Sequence, residues 1–247
     1  MKILLELKYN GTGFAGYQVQ PGKCTVQSAI QDAIEAVYGE RYPIKGCSRT
    51  DAGVHALQYF ATFETERNIP LDKLPMALNA SIDSRIAILS ACIVDDDFHV
   101  RHDVKYKEYE YLIHASRIAD PFLIDRAWHF PKSLCADAVS RMNKASEAFI
   151  GTHDFSGFMS AGSSVADTVR TVKYLEIIED GDLIRIRIAA DGFLYNMVRI
   201  IVGTLIEVAT GKINAGDMPD IISSCDRSRA GMTAPPEGLY LRRIEFL

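Results

Sequence analysis

Apolar and polar residues alternate over residues 2–8, a period of two that predicts a strand. Thr25 then precedes a run in which Val26, Ile30, Ile34 and Val37 fall on one helical face, and Gly39 stands where that helix would stop. Residues 44–47 read as a short strand, and 54–64 as a longer one rich in aromatic and β-favouring side chains. Leu71, Leu74 and Leu78 share a helical spacing interrupted by Pro75, and residues 85–94 return to a strand. The first half therefore runs β-α-β-β-α-β.

The second half repeats that order. Residues 105–114 read as a strand, and Ser133 as the cap of a helix carrying Leu134, Val139, Met142 and Phe149 as far as Gly151. Strands over 170–179 and 183–189 flank Asp180-Gly181-Asp182, a hairpin signal. Residues 193–209 form the most apolar helical stretch, ended by Gly211, and a last strand covers 238–246. No residue-by-residue repeat accompanies this duplication of element order. The expectation is an α+β protein of two tandem ferredoxin-like βαββαβ halves, 1–102 and 103–247, whose sheets join or face one another across an inter-lobe cleft.

Composition narrows the function. In 247 residues, 27 Lys and Arg stand against 32 Asp and Glu, a formal net charge of −5. A nucleic acid could be held only by a local basic patch on an acidic body, not by overall charge. The start MKILLELKYN is broken by Glu6, and the apolar run over 200–209 carries Glu207, so neither a signal peptide nor a membrane span is expected. Five scattered cysteines without a C-x-x-C pair read as reduced, mostly buried thiols of a cytoplasmic protein, not as disulfides or a zinc site.

Two segments carry candidate chemistry. Gly11-Thr-Gly-Phe-Ala-Gly16 has the G-x-G-x-x-G form and follows a strand. A dinucleotide site needs the third glycine to open a helix, whereas here Pro21-Gly22 intervenes and the helix waits for Thr25. The stretch therefore reads as a glycine-rich surface loop, and a dinucleotide-dependent oxidoreductase loses its motif. In Gly46-Cys-Ser-Arg-Thr-Asp-Ala-Gly-Val-His-Ala56, a polar turn joins two strands and sets Arg49 two residues before Asp51. Such a turn can simply bond its own amides. It can equally hold an ionised carboxylate on a rigid strand end, available as nucleophile or base.

The run S-R-T-D-A-G-V-H-A over 48–56 resembles the signature of the tRNA pseudouridine synthase A family, and the resemblance extends along nearly the whole chain. It is carried further by Tyr9-Asn-Gly-Thr-Gly-Phe-Ala-Gly-Tyr-Gln-Val-Gln20, by Asp97-Phe-His-Val-Arg101 with Lys107-Glu-Tyr-Glu-Tyr111, and by blocks at 153–158, 193–203 and 234–240. Asn10 and Tyr17 depart from the Asp and Trp usual in the family. The resemblance implies the pseudouridine synthase fold, with a central mixed, largely antiparallel sheet, and isomerisation of uridine to pseudouridine at positions 38, 39 and 40 of the tRNA anticodon stem-loop. No cofactor or metal is chemically required for that reaction. A homodimer and a tRNA partner are implied as well.

By the same resemblance Asp51 is the catalytic aspartate, Arg199 its partner and Tyr109 the side chain that stacks on the target base. Arg49 supports Asp51 on the extruded nucleotide. A guanidinium beside a carboxylate lowers its pKa by ~1–3, and a charged Arg199 in so apolar a helix calls for a partner. Strand alternation independently sets Lys105, Lys107, Tyr109 and Tyr111 on one face. Lys105, Lys107, Arg101 and His55 are candidate RNA contacts. The rival reading is a non-catalytic RNA-binding protein or chaperone built on the same sheets.

Overall fold

The computed structural model describes every residue except 132, 133, 135, 136, 163 and 164. It divides into two compact units, Met1–Lys105 with Tyr240–Leu247, and Tyr106–Leu239.

In the first unit the strands are β1 (Lys2–Tyr9), β2 (Ile44–Gly46), β3 (His55–Glu64) and β4 (Ile86–Val94), with helices α1 (Val26–Tyr38) and α2 (Leu74–Asn79). β1 lies between β3 and β4, antiparallel to both, and β2 pairs antiparallel with the far part of β3. The C-terminal residues of the chain return here, where Tyr240 and Leu241 pair in parallel with His55 and Ala56 of β3. Alternation along β1 buries Ile3, Leu5 and Leu7, and Ile30 and Ile34 of α1 are equally buried. Thr25 caps α1 through a reciprocal box with Ser28, and the helix closes at Gly39. Pro75 sits in the first turn of α2, where its missing N–H would have no helical partner, so the helix begins at Leu74 and not at Leu71.

The second unit carries most of β5 (Val104–Ala115), then β6 (Trp128–Phe130), β7 (Gly151–Asp154), β8 (Val169–Asp180) and β9 (Leu183–Ala190). β5, β9, β8 and β7 follow one another as antiparallel neighbours, and β6 pairs with β5 in parallel. The β8–β9 hairpin turns at Gly181-Asp182, with Asp180 opposite Leu183. The helices are α3 (Ala138–Ser146), α4 (Met197–Ala209) and α5 (Met218–Ser223). The chain is thus α+β with mostly antiparallel pairing and some parallel pairing.

Several expectations need correction. The Ser133 cap lies outside the described residues; α3 is described from Ala138, and Phe149 belongs to a short 3-10 turn after it. α4 starts at Met197, not Phe193, because Asn196 sits at φ 61°, a left-handed backbone that cannot continue an α-helix. Of the four described cysteines only Cys47 is buried, while Cys24, Cys92 and Cys225 are exposed; they occupy a loop, a strand margin and a helix end. Cys135 lies outside the described residues. No helix is long and apolar enough to cross a membrane among the described residues.

Candidate active site

In the first unit Asp51 lies on the turn that joins β2 to β3, and that turn is held from its backbone. The Thr50 carbonyl accepts the Tyr17 N–H at 3.0 Å, and the Asp51 carbonyl accepts the Val54 N–H at 3.2 Å. The Thr50 hydroxyl and the Tyr9 hydroxyl share a hydrogen bond of 2.7 Å. At the start of β3, His55 is 2% exposed, and its Nδ1 accepts the Gly11 N–H at 3.0 Å. That bond assigns the ring proton to Nε2. The imidazole also stacks on Tyr240 at 4.6 Å between centroids. His55 therefore works on the loop backbone from a buried position.

The segment 11–16 is not the surface loop expected from its composition. Gly11, Phe14, Gly16 and Tyr17 are buried, and the glycines bring its backbone onto the Asp51 turn. A β-carbon on Gly11 would stand 2.0 Å from the Val54 carbonyl oxygen. One on Gly16, whose φ is +93°, would stand 2.7 Å from the Thr50 oxygen and 3.3 Å from the Ala52 nitrogen. These glycines permit close backbone approach, the purpose they serve in nucleotide loops, but they press on a protein turn instead of a phosphate. Arg85 holds the loop from outside: it donates to the Thr12 carbonyl at 2.7 Å, stacks over Phe14 at 4.1 Å and pairs with Asp83 at 2.7 Å.

Tyr17 supports the same turn from beneath. It stacks on Tyr59 with centroids 4.6 Å apart, and Tyr59 donates its hydroxyl to the Ser48 carbonyl. Burial pushes both phenols above their ordinary pKa, so they remain neutral hydrogen-bonding groups. Tyr17 is thus a core side chain under the turn.

With the backbone so fixed, the side chains diverge. Arg49 is exposed and Asp51 half-buried. Arg49 and Arg101 line one cavity of about 290 Å³, together with Lys45, His99 and His102. Arg101 also donates to the Gly46 carbonyl at 3.3 Å. Lys105 forms an exposed ion pair with Glu245 at 3.2 Å. Sequence reasoning passed over Lys45 and His99. The signals were the outward position of Lys45 in a three-residue strand and the imidazole inside Asp97-Phe-His-Val-Arg101.

In the second unit Tyr109 is 6% exposed on β5, opposite Ile188, with its ring edge-on to Phe193 at 5.1 Å. Lys107 precedes it on the same strand, half-buried. Tyr111 is fully buried and donates to the Pro235 carbonyl at 2.7 Å. Arg199, half-buried on α4, donates to the Ala234 carbonyl and to Asn196 Oδ1, both at 2.7 Å. Burial, and next the Glu237 carboxylate, raise the Tyr111 pKa, while Arg199 opposes the shift.

Glu108 and Glu110, on the alternate face of β5, are buried too. Glu110 accepts from Arg187 at 2.6 Å and faces Arg185 at 3.8 Å. Arg227 is spent on the Gly231 carbonyl and the Thr233 hydroxyl.

A family model described as tRNA pseudouridine synthase matches residues 7–103 and 145–246. The chain is 46% identical over 244 residues to a tRNA pseudouridine synthase A of Thermoanaerobacter sp. (strain X514), covering 99% of each chain. It is 45% identical over 244 residues to that of Acetivibrio thermocellus, again covering 99% of each. To that of Bacillus licheniformis it is 42% identical over 248 residues, covering 100% of this chain and 99% of the relative.

Proposed function

The chain belongs to the tRNA pseudouridine synthase family, isomerases that convert tRNA uridine to pseudouridine, and on that footing we propose that Asp51 performs the covalent step, at positions 38, 39 and 40 of the anticodon stem-loop. The N1–C1′ bond breaks, the uracil turns, and C5 joins C1′; the proton leaves C5 and N1 gains one, so the reaction is balanced without oxidant or reductant. The Asp51 carboxylate assists either by attacking C1′ or by taking a proton from C2′, and both routes need it ionised.

Tyr109 stacks on the uracil while its bond to the sugar is open, an interaction worth ~1–3 kcal/mol per base. By the family resemblance Arg199 has a supporting role, and Arg49 meets the extruded nucleotide. Flipping that nucleotide out of its stem costs a few kcal/mol, which binding along the RNA offsets. The single observation that carries the reading is the clamped Asp51 turn. Contacts from Tyr9, Tyr17, Val54 and the Gly11–Gly16 loop hold the turn that carries the half-buried Asp51, the preorganisation that positioning a reacting group requires.

Isomerisation exchanges the C5 hydrogen, so tRNA transcripts labelled with tritium at uridine C5 should release label to water with this chain, and none with Asp51→Ala. Equal release by both would remove Asp51 from the chemistry, and retained tRNA binding without any release by the intact chain would favour a non-catalytic RNA-binding protein. We assign the working form to a cytoplasmic homodimer. Support comes from the 116–126 loop, where Ile118, Phe122 and Ile124 are 80%, 82% and 62% exposed, an apolar group of the kind that marks a protein contact. Sedimentation of a tRNA-modifying monomer would refute it.

A further inference from the structure

The cavity beside the Asp51 turn gathers Lys45 from β2, Arg49 from the turn itself, and His99, Arg101 and His102 from the bend after β4. The bend is self-supporting: the His99 N–H donates to the Asp103 carboxylate at 2.8 Å, and the Arg101 and His102 N–H groups both point at His99 Nδ1 at 3.2 Å. The two imidazoles lie with centroids 4.0 Å apart. Desolvation, and then the charges of His102, Lys45 and Arg101, hold His99 below its ordinary pKa. No carboxylate lines the cavity. Among the described residues none of Lys45, Arg49, Arg101 and His102 forms an ion pair.

That arrangement is costly in isolation. Like charges gathered around one cavity repel each other even in water, and a chain with 32 acidic against 27 basic residues has carboxylates to spare. Elsewhere it uses them: Arg41 faces Asp32 and Glu35, Arg85 faces Asp83, and Arg187 faces Glu110. The missing complement is an anion from outside. Long, exposed side chains around an open cavity suit the passing oxygens of a polyanion better than a small free phosphate.

We propose that this cavity binds a backbone phosphate of the tRNA substrate close to the nucleotide on which Asp51 acts, with Lys45 and Arg101 as principal contacts. The proposal rests on the assignment of tRNA as substrate. Its test is the binding of an unmodified tRNA transcript to the full chain at several potassium chloride concentrations between ~50 and ~300 mM.

Lys45→Gln should weaken binding by about 3- to 10-fold at the middle of that range and reduce the slope of log affinity against log salt by about 1. Lys45→Arg should keep the wild-type slope, and thermal unfolding should not separate the three proteins. His102→Gln should weaken binding by a smaller factor. An unchanged slope in Lys45→Gln, while the wild type still forms pseudouridine, overturns the cavity and leaves the enzymatic reading standing. A reduced slope with no pseudouridine from the wild type does the reverse.

Discussion

Two regions gather positive charge, and they treat it in opposite ways. Across β5 and β9, Arg185 and Arg187 converge on the buried Glu110, whose side chain is 7% exposed, so the charge is cancelled inside the sheet. Around the Asp51 turn, Lys45, Arg49 and Arg101 converge on an open cavity, and the hydrogen bond from Arg101 to the Gly46 carbonyl cancels no charge. Basic residues of the first kind stabilise the fold, and those of the second await a ligand. Counting arginines along the sequence cannot tell the two apart, because the difference lies in what stands across the strand.

The largest effect should come from Asp51→Ala. Pseudouridine formation should fall by at least about 10³-fold, as for loss of a group that acts on the reacting atoms, while tRNA binding persists; a variant that keeps a tenth of the activity would break the contrast. Next is Gly16→Ala. A β-carbon 2.7 Å from the Thr50 carbonyl at φ +93° must displace either the loop or the Asp51 turn. Turnover should fall by about 10- to 100-fold, alongside a loss of stability readable by thermal unfolding.

A smaller effect, and the sharper comparison, sets Glu110→Gln against Lys45→Gln. The first leaves Arg187 without its carboxylate in a partly buried position and should cost ~1–3 kcal/mol of stability, because the guanidiniums keep some water, with no change in the salt slope of tRNA binding. The second should change stability by less than ~0.5 kcal/mol and alter the slope. If both variants moved the same observable, the division between paired and open charge would fail.

The smallest effect concerns pH. Hydrogen bonds from the Arg85 guanidinium and then its backbone N–H lower the Asp83 carboxyl to about 2. A carboxyl depressed in the folded state stabilises above its unfolded pKa of ~3.9, and that contribution disappears as pH falls from about 4 towards 2. Asp83→Asn should therefore unfold slightly earlier than wild type at pH 7, by less than ~1 kcal/mol for so exposed a pair, and the two should converge only below about pH 2. A gap as wide below pH 2 as at pH 7 would assign the effect to something other than the ion pair.

Elements set by local pattern were legible from the chain alone. Thr25 and Gly39 bracket α1, the alternation of β1 marks its buried face, and Asp180-Gly181-Asp182 turns the β8–β9 hairpin. What failed was set by partners distant in sequence. Gly151–Asp154 has no apolar alternation and becomes β7 only by pairing with β8. Asn196 delays the start of α4 through a backbone conformation that composition does not announce. The G-x-G-x-x-G segment was misread as surface because nothing local says that its close approach is made to the Asp51 turn. Of the candidate site, Asp51 and Arg49 follow from their motif, whereas the grouping of Lys45 with His99 and His102 needs β2 and the bend after β4 to be folded.

The central claim is that a carboxylate on the clamped turn isomerises specific uridines of tRNA. The direct measurement is carbodiimide-blocked primer extension on unmodified tRNA transcripts incubated with the wild-type chain and with Asp51→Ala. Stops at positions 38, 39 and 40 with the first and none with the second are predicted; stops confined to another arm, or equal stops with both proteins, would contradict it.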